Sequence, residues 1–62
     1  MKVGDLVLIN DLCTDPVLVG TVGTVIETGI KEGWHSWVLA GVLTVKGLVP
    51  FREDSPQLEV IN

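Results

Sequence analysis

The segment EGWHSWVLAG, residues 32–41, sets both tryptophans of the chain, Trp34 and Trp37, around its only histidine, His35. Indole rings offer large rigid contact areas, and a histidine can serve as a general base or a pH-sensitive group. No second catalytic group stands at a recognisable spacing from His35, so we interpret it as a solvated strand residue. The segment favours a contact surface over an active centre.

Cys13 lies in DLCTDP, between Asp11 and Asp15. An activated thiolate needs a cationic or histidine neighbour, and carboxylates disfavour it. One cysteine cannot form an internal disulfide, and with His35 it falls short of the roughly four ligands of a structural zinc site. We therefore expect no catalytic residue, no metal and no cofactor. Asp11 and Asp15 instead predict a small acidic loop that attracts Lys or Arg of a partner.

The composition indicates which partners to expect. A net charge of -4 repels phosphate backbones and anionic membranes, so neither nucleic acid nor a membrane is expected. The 62 residues are 47% hydrophobic. A chain of this size buries only about 60% of its unfolded surface, so apolar surface is left over. We expect a protein partner or self-association to cover it.

Eleven valines, seven glycines and one alanine favour strands with tight turns over helices. The pattern predicts one all-β domain over residues 1–62: five short strands that close into a small barrel. A long loop follows the first strand at 11–20, and an irregular or 3₁₀ segment precedes the last strand. The strands are predicted at 5–10, 21–29, 34–41, 42–45 and 58–61.

Two patterns predict apolar surface beyond a single core. Side chains alternate along a strand, so a regular strand through 34–41 would place Trp34 and Trp37 on opposite faces. One ring would then lie outward or under a loop. LVLI at 6–9 and PVLVG at 16–20 are apolar at consecutive positions, which makes Leu8 and Leu18 candidates for burial against another chain. Equally, the long loop could fold over the barrel and cover them itself.

The order of elements resembles that of the SH3-like barrels: a strand, a long loop, a three-strand meander, a 3₁₀ turn and a last strand. GDLVLIN at 4–10 is similar to the opening of SH3-like and KOW-type barrels. EGW at 32–34 and GLVP at 47–50 resemble the start of the third strand and the Gly-x-x-Pro before the 3₁₀ turn. The FRED and LEVI segments near the end are similar to those of short accessory proteins of bacteriophages.

The resemblance implies a peptide-binding groove, with Trp34 at the groove tryptophan, Pro50 at the groove proline, and Asp11 and Asp15 in the loop that reads basic residues. SH3 grooves are also lined by tyrosines, and this chain has none. We therefore expect a non-enzymatic protein-binding or assembly module. It would self-associate or dock on a larger protein, as a phage accessory or virion-associated protein does. The alternative is a KOW-like module associated with nucleic acid or the ribosome.

The location expected from the sequence is the cytoplasm, meaning the host cytoplasm or the virion for a phage-encoded chain. The start, MKVGDLV, has no charged leader followed by an apolar stretch, and the longest apolar run is about four residues. A membrane-spanning helix needs about 20.

Overall fold

The computed structural model describes every residue except Glu32, Trp34, His35 and Asn62. Its regular structure is one five-stranded antiparallel sheet, so the predicted all-β fold is confirmed. Neighbouring strands follow the order β4-β3-β2-β1-β5. The strands are β1 (Leu6–Ile9), β2 (Val22–Ile30), β3 (Leu39–Thr44), β4 (Gly47–Arg52) and β5 (Leu58–Val60).

The sheet is not closed, unlike the barrel that the strand spacing predicts. Among the described residues, β4 pairs with β3 and β5 pairs with β1, but β4 and β5 do not pair with each other. β5 has only three residues, which gives it little length with which to bridge to β4. Residues 53–57 form turns, where an irregular or 3₁₀ segment is predicted; of these two alternatives, the structure shows the irregular one. The described part of the chain contains no helix with the length and apolarity of a membrane span.

The prediction of successive strands at 34–41 and 42–45 is wrong. β3 continues through Gly41 to Thr44, and the chain turns at Val45 and Lys46. Gly47 takes a φ of 99°, a conformation that glycine adopts without steric cost, and it begins β4. From the sequence, the segment around Pro50 is predicted to be irregular, but Pro50 lies within β4. β4 is an edge strand, where a residue without an N–H group is tolerated.

One face of the sheet, here called the inner face, carries the core. Val7 on β1, Val25 on β2 and Val42 on β3 are fully buried there, and the register pairs Val25 with Val42. Alternation along each strand places these residues on the same side. The buried hydrophobic residues are Val7, Ile9, Leu18, Val25, Ala40, Val42, Phe51 and Leu58.

The connection between β1 and β2, residues 10–21, supplies part of the cover for this core. Ile9 and Thr21 close its base, since the Ile9 N–H donates to the Thr21 carbonyl oxygen at 2.9 Å. Leu18 is part of the core and is 3% exposed, and Cys13 packs against the core cluster. The loop therefore acts as a lid over the open side of a single-layer sheet.

Candidate functional site

The opposite side of the sheet, here called the outward face, carries an unusual row of side chains. The register aligns Leu6 of β1 with Thr24 of β2, Thr24 with Leu43 of β3, and Leu43 with Leu48 of β4. Directly paired residues point to the same side of a sheet, so these four form one row across four strands. Three of the four are leucines, although outward positions of an antiparallel sheet are commonly polar.

A second row lies beside the first, displaced by two residues along β1. Leu8 pairs with Val22 of β2 on one side and with Glu59 of β5 on the other. Val22 is exposed and Leu8 is half-buried. We call the five apolar residues of the two rows the aliphatic patch; they are Leu6, Leu8, Val22, Leu43 and Leu48.

The exposure of the patch contrasts with that of the inner face directly behind it. Leu6 is 41% exposed, Leu43 50% and Leu48 57%, whereas Val7, next to Leu6, and Val42, next to Leu43, are fully buried. Valine therefore faces inward and leucine outward along β1 and β3. The consecutive apolar run that singles out Leu8 has this origin, because both faces of β1 are apolar.

Two acidic side chains border the patch. Glu59 of β5 is paired with Leu8. Glu27 of β2 is paired with Gly41, which lies two residues before Leu43 on β3 and therefore on the same face. The Glu59 carboxylate accepts a hydrogen bond at 2.9 Å from the side-chain amide of Asn10. The interior of the patch therefore holds no charge, and the groups that border it on these two sides are acidic.

A second feature lies at the end of β4, around Arg52. The guanidinium carbon of Arg52 lies 5.2 Å from the centre of the Trp37 ring, a cation–π distance. Its Nε donates to Asp54 Oδ1 at 3.0 Å and a terminal nitrogen donates to Asp54 Oδ2 at 2.9 Å. Two shallow clefts of about 490 and 450 Å³ share Arg52 and Asp54. Arg52 and Asp54 neutralise each other, and Glu53, which lines one of the two clefts, adds a negative charge.

The described residues that the sequence predicts for partner binding lie at more than one place: Trp37 and Pro50 line adjoining clefts at Arg52, and Asp11 and Asp15 lie in the loop after β1. Trp34 and His35 lie outside the described residues. Trp37 is 37% exposed in a bend before β3, so a regular strand through 34–41 is a wrong prediction. Pro50 is exposed on β4 and lines one of the two clefts at Arg52.

The two acidic loop residues have different surroundings. Asp11 is exposed, whereas Asp15 is tied to Lys46 at the turn between β3 and β4, with 2.6 Å between Lys46 Nζ and Asp15 Oδ2. The hydrogen bond from Lys46, and then that from the backbone N–H of Val17, lower the pKa of Asp15. Asp15 thus pairs with a base of its own chain. The Cys13 thiol faces the Asp15 carbonyl oxygen at 4.0 Å.

Leu8 and Leu18 are both predicted as candidates for burial against another chain, but the structure places them in different environments. Leu8 lies on the outward face, within the patch. Leu18 is covered by its own chain, as in the alternative in which the long loop folds over the sheet. Its side chain is therefore not available to a partner, and it belongs to the fold instead of the site.

Sequence reasoning misses four of the five patch residues, since it singles out only Leu8. The run LVLI contains the signal for Leu6, which is two positions from Leu8 and hence on the same face. Leu43 and Leu48 become neighbours only through the hairpin at Val45 and Lys46, which sequence reasoning misplaces. Val22 is identified once its register against Leu8 is known.

The described residues contain no group of three or more His, Cys, Asp or Glu side chains that could hold a metal ion. Comparison with protein-family models finds no match, and comparisons with curated proteins and with solved structures also find none. The candidate site therefore rests on the geometry of the outward face.

Proposed function

We propose that this chain is a non-enzymatic protein-binding or assembly module that makes contact through the outward face of its sheet. The observation that carries the proposal is the aliphatic patch, in which five apolar side chains from four strands are gathered with no charge between them. Contiguous exposed apolar surface of this kind marks interaction sites, because single scattered apolar residues are normal but gathered ones are not.

The electrostatics favour a protein over a nucleic acid as the partner. Lys46 and Arg52 are each paired with a carboxylate of the chain, Lys46 with Asp15 and Arg52 with Asp54. Phosphate binding depends on basic groups that displace counterions, and a chain of net charge -4 disfavours it. The KOW-like alternative therefore has less support than a protein contact.

We further propose a relationship to the SH3-like barrels and, through it, to phage accessory proteins that act in the host cytoplasm or the virion. Support comes from the strand order, in which β1 lies between β2 and β5, and from the 12-residue connection after β1. In this relationship the contact would be made by a sheet face, since the clefts beside Trp37 and Pro50 are lined by the paired charges of Arg52 and Asp54.

Site-specific photo-crosslinking tests the proposal. A photoreactive phenylalanine analogue is placed at Leu43 or Leu48, in the patch, and as a matched control at Val17, which is 55% exposed on the loop beside Leu18. Irradiation of cells that produce the protein is expected to give discrete adducts from the two patch positions and none of the same mass from Val17. Equal diffuse labelling from all three positions, or none, would refute a contact at this face.

A further inference from the structure

We propose that the partner of the outward face is an amphipathic helix of another protein, with an apolar stripe that lies on the aliphatic patch and a Lys or Arg at each end of that stripe. This inference rests on the proposed function, because it names the chemistry of the partner that the same surface binds. The positions of the charges on the sheet, the spacing between them and the hydrogen bonding of a sheet face support this partner.

The strands of the sheet carry few charges. Their charged residues are Glu27, Arg52 and Glu59. Arg52 forms an ion pair with Asp54, whereas neither glutamate forms an ion pair within the described part of the chain. Lys2 and Lys31 lie outside the strands, before β1 and after β2. The charge that the sheet itself presents to a partner is therefore negative.

Both glutamates are exposed on the outward face, at opposite ends of the aliphatic patch along the strand direction. Glu59 is paired with Leu8 at one end. At the other end Glu27 is paired with Gly41, and the Glu27 Cβ lies 3.6 Å from the point that a Cβ on Gly41 would occupy. A partner that covers the patch thus brings its two ends close to carboxylates. Basic groups there are attracted and acidic groups are repelled.

The spacing of the two glutamates fits three turns of a helix. Glu59 and Glu27 are separated by two strand spacings across the sheet and about four residues along it, which is roughly 17 Å between Cα atoms. Helix residues i and i+11 are about 16.5 Å apart and, after about three turns, lie on the same face. Positions i+4 and i+7 lie between them on that face, where apolar side chains would meet the leucines of the patch.

A helix suits a sheet face better than an extended segment does. An extended segment laid on the face leaves its own N–H and C=O groups without partners, because those of the sheet pair with one another. Strand addition needs a free edge, but β4 contains Pro50, which has no N–H, and β5 has three residues. A helix pairs its backbone groups internally and presents side chains to the apolar surface.

Binding of two synthetic peptides to the full chain tests the inference, with a fluorescent label on each peptide and anisotropy as the readout. Both peptides are alanine-rich helices of about 18 residues with leucines at i+4 and i+7. One carries Lys at i and i+11, and the other carries Glu there. The Lys peptide is expected to bind at least about tenfold more tightly at about 0.05 M salt, and its advantage should shrink at about 0.5 M, because salt screens the charges.

Substitutions that each remove one negative charge locate the contact. Glu27→Gln and Glu59→Gln should each raise the Kd of the Lys peptide about threefold, and together about tenfold. Asp11→Asn is the matched control on the exposed loop, and it should change that Kd by less than about 1.5-fold. Leu43→Ala should weaken the binding of both peptides, because it removes apolar contact. Thermal unfolding of each variant verifies that it is folded.

Three results would overturn this inference. They are equal affinity of the two peptides, no saturable binding of the Lys peptide up to about 1 mM, and an effect of Asp11→Asn as large as that of the glutamate variants, which would reflect net charge alone. The proposed function has a separate outcome. Discrete crosslinked adducts from Leu43 that persist unchanged when Glu27 and Glu59 are both replaced by Gln would keep the outward face as a contact and exclude a basic helix as its partner. An adduct with the mass of two chains would also exclude it.

Discussion

Lys46 and Asp15 join two segments that are 31 residues apart in the chain, with 2.6 Å between Lys46 Nζ and Asp15 Oδ2. Asp15 also accepts a hydrogen bond from the Val17 N–H at 3.0 Å through its other oxygen. The carboxylate thus shapes its own loop with one oxygen and fixes that loop to the turn between β3 and β4 with the other. The contact fixes the connection between β1 and β2, which contains the core residue Leu18.

The first prediction concerns the pH dependence of this contact. The pKa of Asp15 is held below its ordinary value of 3.8 in the folded chain, first by the hydrogen bond from Lys46 and then by that from Val17. A lowered pKa contributes stability that is present above the unfolded pKa, about 3.9, and is lost as the pH falls through the folded value. Urea unfolding should show Lys46→Gln less stable than the wild type at neutral pH.

The difference between Lys46→Gln and the wild type should be small, because both partners are partly exposed. It should narrow in high salt, and it should be lost as the pH falls below 3.8 and through the lowered pKa of Asp15, where the carboxylate of the wild type becomes protonated. A difference that stays constant over the whole pH range would show that Lys46 acts through packing and not through the ion pair.

The second prediction concerns Leu18, the loop residue that completes the core. Leu18→Ala should lower the free energy of unfolding by about 2 to 4 kcal/mol, from lost burial and the cavity left behind. Val17→Ala is the matched control, and its exposed side chain should change stability by less than about 0.5 kcal/mol. Equal effects of the two substitutions in urea unfolding would mean that the loop does not cover the core.

The third prediction compares two glycines buried in adjacent strands. A Cβ at Gly23 would lie 2.5 Å from Val42 Cγ1 and 3.1 Å from the Leu43 carbonyl oxygen, so Gly23→Ala forces core and backbone to move. We expect a loss of about 1 to 3 kcal/mol. At Gly41 the nearest atom, 3.3 Å away, is the Cδ1 end of exposed Leu48, which can shift, so Gly41→Ala should cost less. Thermal unfolding of both variants measures the order, and the reverse order would contradict this packing.

Three of the five strands can be predicted from the sequence, because the residues that define them are close together in the chain. β1, β2 and β5 fall within one residue of their predicted positions at each end, where valine-rich runs are bounded by turn residues. The error at β3 and β4 arises from two glycines that the sequence does not distinguish. Gly41 lies in mid-strand beneath Leu48, and Gly47 begins β4 directly after the turn with a φ of 99°. Only the tertiary environment separates these two uses of one residue type.

The candidate site is less predictable than the fold, because a sheet face is defined by register. Leu8 is identifiable from the apolar run in β1, but its neighbours Val22 and Leu6 are assigned only when β1 is aligned with β2. A shift of one residue in that register would turn the leucines inward and the valines outward. The composition of the aromatic segment predicts a contact surface, whereas Trp37 lies in a bend beside the Arg52 guanidinium.

Methyl NMR with a soluble paramagnetic probe tests the central claim, that the outward face presents aliphatic side chains to a partner. In dilute protein, the methyl signals of Leu6, Leu43 and Leu48 should be strongly attenuated while those of Val7, Val25 and Val42 persist. Leucine methyls that are already shielded in dilute solution, or valine methyls that the probe reaches, would contradict the account.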